Sequence, residues 1–203
     1  MLKKMACVGV ACMVFLVAPV GAKSYVFGDV EIEVPNPPGF LSVQKQALLE
    51  KLARGTQNTT TYLDYFEPEG SEQKPISWML LQTLTRDRAV ITTKHDFTQL
   101  RADLRNSVIG IQKETLEQPI VSAAKFMGIN EDTDELFMYS TAVRLSNVPG
   151  HEGDPVAMVA SHLFVKGKVV SLATYRIVRT QEDVILAQRE ARLWALSVLN
   201  ANR

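Results

Sequence analysis

The chain has 203 residues, 46% of them hydrophobic, with 22 basic side chains balancing 22 acidic ones. That is enough apolar material for one domain with its own core. Zero net charge without a basic run argues against nucleic acid as the partner.

The first 22 residues read as a cleavable export signal. Lys3 and Lys4 precede a short apolar run from Met5 to Val17, and Ala18-Pro19-Val20-Gly21-Ala22 supplies small residues for a cut after Ala22. The run falls short of the roughly 20 residues a membrane-spanning helix needs, and no later segment is apolar for longer, so no membrane span is expected after signal removal. The expected mature domain is 23–203, in the periplasm or secreted, and the short Met-Leu-Lys-Lys start has a bacterial look. Its net charge is −2, because Lys3 and Lys4 are lost while every acidic residue follows Ala22. Cys7 and Cys12 both lie in the signal, which leaves the domain no thiol, disulfide or cysteine metal ligand.

In chain order, Tyr25–Val34 alternates, with Val30, Ile32 and Val34 on one face and Asp29, Glu31 and Glu33 on the other, the period of a half-buried strand. Pro35-Asn36-Pro37-Pro38-Gly39 ends it. Gln44–Arg54 has helical spacing closed by Gly55. Thr61–Phe66 suits a short strand, Glu67–Lys74 a polar loop, and Ser77–Thr85 a buried strand. Thr93 caps a helix starting near His95, with Asp96 in its first turn and Phe97, Leu100, Leu104, Val108 and Ile111 as its apolar face. Through 112–135 no clean period emerges; Phe126-Met127-Gly128 and Asn130–Glu135 read as loop, and Leu136–Leu145 as strand. The polar loop Ser146–Pro155 leads to a hairpin, Val156–Val165 and Lys168–Val178 about a Lys166-Gly167 turn, which places Ser171 opposite His162. From Thr180 a capping-box pattern opens a closing helix whose stripe is Val184, Ala187, Ala191, Trp194, Ala195 and Val198, with Asn200-Ala201-Asn202 fraying its end. The expectation is an α+β domain on an antiparallel sheet, with a late β-hairpin and the C-terminal helix packed on it.

A strand running into Pro37-Pro38-Gly39-Phe40, a mid-chain helix and a hairpin of the form LFVKGKVVSLATYRIV feeding a last helix together resemble the PsbP/Mog1-like group, which includes exported bacterial proteins related to DcrB. The resemblance rests on element order over the first strand and residues 156–199, and residues 112–155 depart from it. It implies a sheet-and-helix scaffold acting as an accessory or binding module, and carries no catalytic residue set.

Candidate chemistry is sparse. Ser161 and His162 are strand neighbours on opposite faces, so they cannot act together. Ser171 and His162 share a face, either as a core histidine satisfied by a hydroxyl or as nucleophile and base of a small hydrolase. His151, Glu152 and Asp154 gather in one loop and form the candidate ligand- or partner-binding group; their Gly- and Pro-rich setting speaks for a solvated loop over a metal site. The acidic run Glu131–Glu135 lacks the spacing of a calcium loop. Trp78 and Trp194 read as core anchors, and Lys166, Lys168 and Arg176 as a solvated edge. Neither cofactor nor metal is implied. The leading expectation is an exported, non-catalytic accessory or binding module for a protein partner or small ligand in the cell envelope; the rivals are the hydrolase and a structural part of an envelope or secretion assembly.

Overall fold

The computed structural model of the protein describes residues 21–71, 75–106, 121–145 and 153–203. The segment read as one alternating strand is instead two, β1 (Ala22–Phe27) and β2 (Val30–Pro35), paired antiparallel about Gly28-Asp29. Gly28 sits at φ 64°, and a Cβ there would lie 3.0 Å from Lys168 Nζ and 3.2 Å from the Ala89 Cα, so only glycine fits this turn. The alternation was real within β2: Ile32 and Val34 are buried.

After β3 (Phe40–Ser42) come helix α1 (Gln46–Gly55), β4 (Thr60–Pro68), β5 (Ser77–Leu84) and helix α2 (Lys94–Asn106). The α2 cap is as the sequence implies: the Asp96 amide donates to Thr93 Oγ at 3.1 Å, and the Thr93 amide to Asp96 Oδ2 at 2.8 Å. Val108 and Ile111 lie outside the described residues. Then follow β6 (Val121–Asp132), β7 (Leu136–Leu145), β8 (Pro155–Val165), β9 (Lys168–Ile177) and helix α3 (Gln181–Ala201). Strand β6 corrects the reading of 126–128 and 130–132 as loop. Three register shifts against β7 scramble its alternation, and Gly128 at φ 145° sits at one of them.

Strands β3 to β9 form one antiparallel sheet in the order β3-β4-β5-β9-β8-β7-β6. The late hairpin has the expected register, Val165 against Lys168 and His162 against Ser171. Lys166 at φ 48° and Gly167 at φ 75° give the two positive φ values that a type I′ turn demands.

Odd-numbered β8 residues face a core shared with the β1–β2 hairpin and α3, where Phe27, Ile32, Ala157, Val159 and Leu163 meet Ala187, Ala191, Trp194 and Val198. Trp194 is fully buried, packs edge-on against Phe66 at 5.1 Å, and donates its Nε1–H to the Pro35 carbonyl at 2.9 Å. The chain end is not frayed. Asn202 accepts from the Glu33 amide at 3.0 Å and donates to the Glu33 carbonyl at 2.7 Å, extending α3 into a clamp on β2. The opposite sheet face carries α1, through Leu49 on Tyr65 and Leu80, and α2, through Phe97 stacked on Phe164. This is an α+β architecture with the C-terminal helix packed on the sheet. Among the described residues no helix is long and apolar enough to cross a membrane.

Candidate functional site

Strand pairing delivers His162 and Ser171 to each other. The Nδ1 of His162 and the Ser171 hydroxyl are 3.0 Å apart, beneath Tyr139, whose ring stacks on the imidazole at 6.0 Å. Part of His162 reaches the surface, but its Nε2 is buried and has no hydrogen-bond partner. Burial therefore acts on the titrating ring and pulls its pKa down to about 4. A hydrolytic triad would place an orienting carboxylate on Nε2; none contacts it. The neighbours are sheet residues, with Gln82 across Ser171 on β5 and Phe137 across His162 on β7. The pair thus forms one polar row inside a packed face, with the imidazole neutral at physiological pH.

Of the loop group, His151 and Glu152 lie outside the described residues. Asp154 is half-buried at the start of β8, and next to it the Gly153 carbonyl accepts from Arg144 at 2.6 Å. Among the described residues no three potential metal ligands come together. The acidic run is taken up by arginines: Asp132 by Arg101 at 3.0 Å and by Arg105, Asp134 by Arg101 at 3.2 Å, Glu131 by Arg192 at 2.7 Å, and Glu135 by Arg203 at 2.7 Å.

The residue most misjudged by sequence is Lys168. It belongs to no solvated edge, since β9 is central in the sheet and Lys168 is 1% exposed. Its ammonium donates to the carbonyls of Ala89 at 3.3 Å and Val90 at 3.2 Å and lies 3.4 Å from the Asp29 carboxylate. Arg176 is likewise enclosed, with Glu190 at 3.0 Å and Asp183 at 3.4 Å; only Lys166 is exposed.

Lys168 therefore ties three connections together at one end of the molecule: the β1–β2 turn, the β5–α2 loop and the β8–β9 turn. Two further bonds reinforce the junction. The Thr92 amide donates to the Gly167 carbonyl at 2.8 Å, and Arg88 Nη2 to the Val26 carbonyl at 3.2 Å. On this braced end Val26 is 56% exposed, Val90 53% and Ile91 69%. Apolar side chains held outward on fixed backbone form a contact surface, because nothing is left to order when a partner arrives. No single sequence signal marks it: Val26, Val90 and Ile91 are far apart in the chain, and a lysine opening a strand is ordinarily solvated.

No family model matches the chain, and no curated protein does. Among solved structures it is similar to the Saccharomyces cerevisiae Ran-binding protein Mog1p, at 12% identity over 90% of this chain and 92% of that one, with a TM-score of 0.34. A point mutant of protein Mog1 matches at 12% identity over 90% and 93%, with a TM-score of 0.35. Both come from the group that element order in the sequence resembles. The likeness is one of general layout, and no functional residue is carried over from it.

Proposed function

We propose that the protein is an exported, non-catalytic binding module that docks a protein partner in the cell envelope through the braced end carrying Val26, Val90 and Ile91. The observation behind this reading is the buried Lys168. Withdrawing an ammonium group from water is costly unless its donors are satisfied, and here the donors are spent on fixing the backbone of the loops that expose apolar side chains. The chemistry-bearing pair His162–Ser171, by contrast, is enclosed in the sheet face. Export rests on the sequence of residues 1–22 alone.

The test is site-specific photocrosslinking in cells, with a photoreactive residue at position 91 and, as control, at position 185, where Ile185 is 56% exposed on α3. A discrete adduct at 91, absent at 185 and abolished by Val26→Asp, is the expected outcome. Lys168→Met should weaken the same adduct by loosening the loops while α3 stays packed. Equal labelling at both positions, or an adduct indifferent to Val26→Asp and Lys168→Met, would refute the docking role.

A further inference from the structure

A second feature lies apart from the braced loops, where α1 meets the start of β4 and the end of β5. There a depression of about 190 Å³ is bounded by Leu49, Glu50, Asn58, Thr61, Tyr62 and Thr85. The volume is below the roughly 300 Å³ at which pockets begin to enclose drug-sized ligands, so its occupant is about one ring in size. The lining contains no cation and one carboxylate, which disfavours phosphates and carboxylates.

Its polar groups have a fixed sense. The Thr85 hydroxyl donates to the Asn58 carbonyl at 2.8 Å, so in the 2.9 Å contact between Thr61 and Thr85 the proton comes from Thr61. The Thr61 oxygen then has only acceptor capacity left to offer. Glu50 is an acceptor as well, already receiving Gln46 Nε2 at 3.1 Å with lone pairs to spare. The carbonyl that sets this direction is put in place by an unusual turn: Gln57 at φ 52° and Asn58 at φ 59° are consecutive non-glycine residues in the left-handed region. Such geometry is retained where surrounding bonds impose it; here the Asn58 amide donates to the Ala53 carbonyl at 2.8 Å. Leu49 and the Tyr62 ring supply an apolar wall beside the two acceptors.

We propose that this depression binds a saccharide unit, a ring with an apolar C–H face for Tyr62 and Leu49 and adjacent hydroxyl donors for Thr61 and Glu50. The site is independent of the protein-docking surface, and either can fail without the other. The shared chemistry, a donor-rich sugar ring, has two sources, neutral sugars and amino sugars, and Glu50 separates them.

The experiment is an NMR titration of the purified protein with methyl β-glucoside, N-acetylglucosamine and glucosamine, with glucose 6-phosphate as the anionic control. The expected result is saturable, millimolar-range shifts of the Asn58, Thr61 and Thr85 amides with at least one uncharged or amino sugar and none with the phosphate. Thr61→Val keeps the shape but removes the acceptor and should weaken binding roughly tenfold, the loss of one good hydrogen bond, with an unchanged melting temperature. Should Thr61→Val disturb the fold, Glu50→Gln on the exposed side of α1 provides the same reading. A glucosamine preference erased by Glu50→Gln identifies an amino sugar, and equal affinities identify a neutral ring. Absence of shifts with all three sugars, or affinities unmoved by both variants, overturns the proposal.

Discussion

His162 shows how one residue's surroundings decide between chemistry and structure. An imidazole with an ordinary pKa near 6.5 is partly charged at neutral pH, but burial holds this one near 4. The folded protein therefore keeps His162 neutral while the unfolded chain takes up a proton as pH falls below about 6.5. Stability from this group is fully present above that value and is lost as pH drops from about 6.5 to about 4, by at most about 3 kcal/mol. His162→Phe removes the titration, leaves the Ser171 hydroxyl without its partner, and costs about 1 kcal/mol at neutral pH. Urea unfolding of both proteins between pH 7 and pH 4.5 should then show the wild type losing ground on the variant as acid is added. Parallel curves would mean that the ring is solvated enough to protonate in the folded state. The His162–Ser171 register was legible in the sequence because a two-residue turn containing glycine leaves the hairpin one alignment. The empty Nε2 was not, since it depends on what three other strands place around the ring.

At the scale of elements, the β1–β2 hairpin is joined to the larger sheet only through side chains, and its anchors come from far along the chain. Asp64, buried on β4, accepts from Ser42 at 2.8 Å and from the Tyr25 phenol and lies 3.3 Å from Lys23. Burial and this carboxylate together push the Tyr25 pKa far above its ordinary value, so the phenol remains a donor. At the other strand Asn202 clamps Glu33 from both sides, while Trp194 reaches Pro35. Asn202→Ala should cost about 1–3 kcal/mol, because it strips partners from a partly buried amide and carbonyl. Its distinctive signature is faster hydrogen exchange at the Glu33 amide than at amides of the β8–β9 hairpin. Unchanged Glu33 protection would show that Trp194 and the core hold β2 unaided. The stripe on α3 was readable from its spacing, because a helix repeats its buried face with a fixed period. The Asn202 clamp was not, since a terminal Asn looks the same whether it frays or pairs. The β6 strand was hidden for a related reason: each bulge turns the side chains over by one position, and a reader counting in twos finds only noise.

At the scale of the whole molecule, the sheet order explains which surfaces are left for function. Burying β5, β9, β8 and β7 in the middle of the sheet encloses the polar row at His162. Function is thereby displaced to the ends, where connections are held by Lys168 on one side and by the left-handed turn at Gln57-Asn58 on the other. The same layout bears on the proposed export. Ala22 pairs with Pro35 as the first rung of β1, and the Asn36 amide donates to the Gly21 carbonyl at 3.3 Å. A peptidase needs the chain at 20–23 extended and unpaired, so removal of the leader must precede docking of β1 on β2. Proline supplies no amide hydrogen at that rung, which makes the first pair weak and its loss inexpensive, and Lys23 keeps its contacts with Ser42 and Asp64 once Ala22 has gone. Protein recovered from cells should accordingly begin Lys-Ser-Tyr-Val, read by N-terminal sequencing. Full-length chain that has first been refolded should be cut by signal peptidase much more slowly than chain presented in denaturant-diluted, unfolded form. Equal rates for the two would mean that residues 20–23 remain unpaired in the folded protein, and recovered chains still carrying residues 1–22 would remove the case for export altogether.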